Sequence, residues 1–246
     1  YGGLPAALVS NGLEATVRYA APSESTAPKR GRAVAHARTD VELRTALERG
    51  AIASVQRSAI PWEVVVRDGD AELNASFHPE RAGRAADAEL AAAALDDLLG
   101  TDLVAPTVAR TVDGQNGALQ LEYPGAVTEH DRVERRLPLS GWCPLEPQLE
   151  LMRAFDVLIS NRGRTAETVL FTNDLTDLSL VGHGRAFGTD TALPARVRDL
   201  PIPSALREAL RALDEPQLAA ALGAWLDARE IRALLARRDR LIGARR

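Results

Sequence analysis

Phe155-Asp156-Val157-Leu158-Ile159-Ser160-Asn161-Arg162-Gly163-Arg164-Thr165-Ala166-Glu167-Thr168-Val169-Leu170 is the stretch that decides the fold, together with Leu178-Ser179-Leu180-Val181-Gly182-His183-Gly184-Arg185-Ala186-Phe187 further on. Upstream, Leu149, Met152, Phe155, Asp156 and Ile159 recur at helical spacing, so the first stretch reads as a helix running into a polar loop. Val169 to Thr172 and Leu178 to Val181 then read as two short strands around a turn at Asn173-Asp174. Beyond Pro201 and Pro203, three helical segments are expected, near 204–213, 215–225 and 227–243.

Before the central stretch the pattern is β-rich. Thr39 with Glu42 fits a capping box, and Val41, Leu43, Ala46 and Leu47 form a helical stripe that stops at Gly50. Ile52 to Gln56, Trp62 to Arg67 and Glu72 to Phe77 read as strands, the last two joined by Asp68-Gly69. Ala85 to Leu99 is an Ala/Leu-rich helix closed by Gly100. Val108 to Val112 and Ala118 to Glu122 form a second hairpin around Asp113-Gly114, and Tyr123-Pro124-Gly125 breaks the pattern. Residues 1–38 read as a peripheral arm rich in Pro, Ser and Thr over Ala21 to Arg32, with Glu14 to Tyr19 able to add one edge strand.

The two central stretches resemble the catalytic loop F-D-x-L-I-x-N-x-D-R-x-x-x-N-x-L and the metal-binding L-x-L-I-D-H-x-x-A-F of HipA-like and phosphatidylinositol-kinase-like enzymes. Phe77-His78-Pro79, Glu89 to Gly100, Leu103 to Val108 and Trp225 to Asp239 are similar, in the same order, to segments of bacterial members of that set. The resemblance covers roughly residues 39–243. The resemblance implies an α+β, bilobal, protein-kinase-like fold: a small β-rich N-lobe with one helix over 39–123 and a mostly helical C-lobe over 124–246.

The same alignment implies altered chemistry. Phosphoryl transfer needs a group to align the hydroxyl, oxygen ligands for magnesium and a cation on the non-transferred phosphates. The family's lysine falls on His78, its aligning Asp on Gly163, and its magnesium ligands on Thr168 and Gly182; only the helix glutamate survives, as Glu89. The chain's one lysine is Lys29, inside the arm. Asp174 cannot substitute, because four or five strand residues at about 3.3 Å each put the hairpin tip roughly 15 Å away. The resemblance thus implies a degenerate member, a pseudokinase and not an enzyme, that scaffolds, regulates or binds a partner. The alternative is an enzyme reusing the cleft for non-canonical transfer, or for metal or anion binding.

His78, Glu89, Asn161, Arg164, His183 and Arg185 are the candidates for lining such a cleft. His78, Glu89 and His183 have zinc-compatible chemistry, but the plainer reading pairs His78 with Glu89 and makes His183 structural, so no metal and no cofactor is expected. Arg162, Arg164 and Arg185 could grip an anion, or pair internally with Asp156 or Glu167. Another protein or a small anionic ligand is the expected partner. A net charge of −4 gives no reason to expect nucleic acid, and no apolar run is long enough to span a bilayer. The single cysteine, Cys143, excludes an intrachain disulfide. A start at Tyr1 rather than Met is compatible with a removed leader and export. A third reading, a helical adaptor carrying a small β domain, requires that the strands of 52–122 not form one sheet on the 85–99 helix.

Overall fold

Thr39 opens the first helix as expected, accepting from the Glu42 amide while the Glu42 carboxylate takes the Thr39 amide. In the computed structural model, residues 38–139, 145–172, 175, 177–194 and 202–243 are described. They form α1 (Asp40–Arg49), β1 (Ala51–Gln56), β2 (Trp62–Asp68), β3 (Ala71–Pro79), α2 (Ala85–Leu99), β4 (Thr107–Val112) and β5 (Gln115–Leu121). There follow β6 (Val127–Thr128), α3 (Glu129–Glu134), α4 (Leu145–Leu158), β7 (Val169–Thr172), β8 (Asp177–Leu180), α5 (Ser204–Ala212), α6 (Glu215–Leu222) and α7 (Ala228–Gly243). Glu14 to Tyr19, Lys29, Trp142, Cys143, Asn173 and Asp174 lie outside the described residues.

The first five strands make one antiparallel sheet in the order β1-β2-β3-β5-β4. Because strand side chains alternate, each strand serves two faces. Phe77 pairs with Leu119, and both join Trp62, Val64, Val66 and Leu121 in the core under α1. Their neighbours His78 and Ala118, also a pair, and then Gln120, face the other way, toward α2. Helices α1 and α2 therefore serve opposite faces of this sheet. The strands of 52–122 do form one sheet against α2, which removes the helical-adaptor reading.

Alanine explains how α2 fits. Ala86, Ala88, Ala91, Ala92 and Ala93 are all buried, so the helix is apolar nearly all round. Ala86 and Leu90 meet Ala118 of the sheet, whereas Ala88, Ala92, Leu95 and Leu99 join the core of the helical half. Gly100 closes the helix in the left-handed region, with φ 62°. In the second half, α4, α5, α6 and α7 surround a core containing Phe155, Leu158, Ile159, Phe171 and Phe187. Strand β6 pairs with β7, which pairs with β8, giving a three-stranded sheet where only the β7–β8 hairpin is expected from sequence.

Candidate functional site

Helix α4 ends beside the cleft in a left-handed turn: Ser160 has φ 53°, and the Asn161 amide returns to the Asp156 carbonyl at 2.8 Å. This reversal brings Arg164 back over the last turn of the helix. Its Nε and Nη2 donate to the two Asp156 carboxylate oxygens at 2.9 and 3.0 Å, and both side chains are 3% exposed. Nη1 donates to the carbonyls of Thr168 and Val181 at 2.7 and 2.6 Å. The remaining Nη2 proton faces His183 Nε2 at 3.0 Å. All five guanidinium N–H groups are thus used.

That last bond fixes the histidine. A guanidinium only donates, so His183 Nε2 must accept, and the imidazole proton sits on Nδ1. Nδ1 donates to Glu89 Oε2 at 3.0 Å, while the His183 backbone amide donates to Glu89 Oε1 at 2.6 Å. Gln120 Nε2 completes the set, reaching Glu89 Oε2 at 3.4 Å and Thr107 Oγ1 at 2.9 Å. Burial pushes the Glu89 carboxyl up, but the His183 ring and backbone N–H groups pull it below the ordinary carboxylate value. A continuous polar chain therefore runs from α2 through the segment after β8 and the loop after α4 to α4 itself.

Several sequence expectations change here. The surviving Glu89 pairs with His183 across 94 residues, not with His78. His78 forms no side-chain hydrogen bond among the described residues; burial lowers its pKa, only partly offset by the Glu89 charge, so the imidazole is neutral at pH 7. Glu89, Arg164 and His183 are 1%, 3% and 0% exposed and spend their polar atoms on one another, so they stand behind the cleft wall rather than on it. His78 and Asn161 are half-buried and Arg185 is exposed. No three His, Cys, Asp or Glu side chains among the described residues gather where a metal could be held, so the His78–Glu89–His183 zinc set does not form. Arg162 pairs with Asp190 at 2.8 Å, and Arg185 makes no ion pair among the described residues.

The positions expected to carry the chemistry are placed together but changed in kind. Val181 donates to the Thr168 carbonyl at 3.2 Å, which sets Thr168 beside Gly182. The Thr168 hydroxyl accepts from the Thr165 amide at 3.0 Å and bonds its carbonyl at 3.1 Å, so it is committed to its own turn. Gly182 has φ +75°, and a Cβ there would lie 2.5 Å from Thr168 Cγ2. A carboxylate at 182 is excluded while Thr168 stays where it is. Gly163 differs: its amide donates to Asn161 Oδ1 at 2.9 Å, and a Cβ would meet Asn161 and the Arg185 stem only at 3.4–3.5 Å, an ordinary contact. Thr168 and Gly182 thus present no carboxylate, and the Thr168 hydroxyl is held by Thr165.

Sequence reasoning missed Gln120 and Arg237. Gln120 is the lone polar residue of the run Ala118 to Leu121. Arg237, 1% exposed, sits between Leu234 and Leu241 on the apolar face of α7. It donates to the carbonyls of Leu158, Gly188 and Asp190 at 2.7, 2.9 and 2.6 Å, leaving Nη2 without a partner among the described residues. Burial pulls its pKa down to about 10.

No family model and no curated protein matches the chain. Among solved structures, it is similar to the Helicobacter pylori proinflammatory kinase CtkA, with TM-score 0.53 and 10% identity over 80% of this chain and 93% of that one. WaaP in complex with acyl carrier protein also matches over 80% and 93%, at 19% identity but TM-score 0.31, too low to carry an argument. The α+β kinase-like architecture is thereby shown. The expectation that the chain is not an enzyme is corrected: the solved structure whose fold it shares is described as a kinase.

Proposed function

We propose that this kinase-like protein uses its cleft to bind a protein partner or a small anionic ligand, in a scaffolding or regulatory role, without the usual handling of magnesium-ATP. The observation that carries the reading is the contact between Thr168 and Gly182. The positions that the resemblance aligns with the family's metal ligands carry Thr168 and Gly182, and a side chain added at 182 would meet Thr168 Cγ2 at 2.5 Å. The exposed Arg185 beside Gly163, without an ion pair among the described residues, supports an anion taken directly by a guanidinium.

Calorimetry and thermal melting with ATP, with and without magnesium, test this. A ligand at 100 times its Kd would add about 2.7 kcal/mol, so a magnesium-dependent rise in Tm defeats the proposal, and an unchanged Tm supports it. Inorganic phosphate serves as the anion probe, with Arg185→Glu expected to abolish any stabilisation it gives.

A second reading, transfer chemistry in the remodelled cleft, is favoured by His78: a neutral imidazole on a rigid strand with no hydrogen bond among the described residues. Labelled ATP followed by mass spectrometry of the products separates the two. A modification abolished by His78→Ala would establish the second.

A further inference from the structure

The sheet has two outer edges, and they are finished differently. At β4, α1 lies against the strand, Val108 and Val112 are buried, and Arg110 donates to the carbonyls of Leu47 and Gly50. At β1 no such cover exists among the described residues. Ile52 pairs with Val66 and Val55 with Val64, so both point to the apolar face under α1. Yet both are only half-buried, while their partner Val64 is 2% exposed and Val66 0%. Among the described residues nothing pairs with the far side of β1. An open edge with an apolar face is a template for another strand.

The amino-terminal sequence carries a strand-like pattern. From Leu13 to Tyr19 the alternation is strict: Leu13, Ala15, Val17 and Tyr19 are apolar, and Glu14, Thr16 and Arg18 polar. Asn11-Gly12 stands immediately before it, the strongest short turn signal. A one-sided strand of this kind needs an edge with one apolar face, which β1 offers and β4 does not. The chain also arrives at the right place. Arg38 pairs with Asp68 at 2.9 Å, and Arg67 beside it is the partner of Ala51, where β1 begins. The 20 residues from Tyr19 to Arg38 reach roughly 60 Å when extended, against about 20 Å for a six-residue strand.

We propose that residues 13–19 of the same chain pair with the outer edge of β1 and cover Ile52 and Val55. The test is hydrogen exchange of the full chain, read at the β1 amides by mass spectrometry at two protein concentrations. Thr16→Pro and Val17→Pro are made separately, because successive N–H groups point to opposite edges and one of the two removes a bond to β1. At least one should speed exchange in β1 by about tenfold or more, while Val17→Ile and the control Ser23→Pro leave it unchanged. Equal β1 exchange in the full chain and both proline variants overturns the proposal. Protection that rises with protein concentration also overturns it, since a second copy would then be the occupant.

Discussion

Two neighbouring sets of residues at the junction of sheet and helices have opposite characters. Glu89, His183, Arg164 and Asp156 form a sealed interior in which each donor meets an acceptor. Gly163, Thr168 and Gly182, a few residues away along the same segments, offer no carboxylate and no free side-chain ligand. The framework that positions a kinase-like cleft is kept by internal bonding, independently of whether the outer positions can hold a metal. The interior of such a fold therefore holds whatever its outer positions carry.

The sharpest way to break this contrast is Asp156→Ala, which strands the Arg164 guanidinium in the interior. Unfolding by urea should show a loss of about 3–5 kcal/mol. His183→Ala removes the imidazole that links Glu89 to Arg164 while the backbone amide still reaches Glu89, and leaving buried polar groups unmatched should cost about 1–3 kcal/mol. Gly182→Ala combines a left-handed backbone with the Thr168 contact, again about 1–3 kcal/mol. Thr168→Ser removes the nearest atom, Cγ2, and should relieve part of that loss in the double variant; strict additivity would refute the contact.

Acid supplies a gentler probe. His78 has its pKa lowered in the folded chain, so below about 6.5 the unfolded chain binds the extra proton. Its contribution is fully present above that pH and fades as pH falls through the window, and His78→Phe should flatten the pH–Tm curve there. At the other end of the scale, Gly163→Asp should change stability by no more than about 0.5 kcal/mol, since the side chain meets only ordinary contacts. A large loss there would erase the distinction between sealed interior and permissive surface.

Local chemistry was the readable part of this protein. The Thr39 box, the Gly100 cap and the hairpins at Asp68-Gly69 and Asp113-Gly114 are each set by residues within a few positions of one another. The short β6 and α3 were missed because two and six residues are too few to establish a period. The partner of Glu89 was misread for a different reason. His78 is closer along the chain, but which imidazole reaches the carboxylate depends on the path of the segment after β8, which no spacing rule encodes. Gln120 and Arg237 were legible only as polar residues on apolar faces, a signal of burial that names no partner.

Arg237 makes the far end of the chain part of this machinery. From α7 it holds the last carbonyl of α4 and two carbonyls of the strand-free segment following Phe187. Trimming the final two turns, or splicing a rigid tag into them, would act on the loop beside Gly163 as a splint removed from a joint. Purification handles on this protein accordingly belong well away from Arg237.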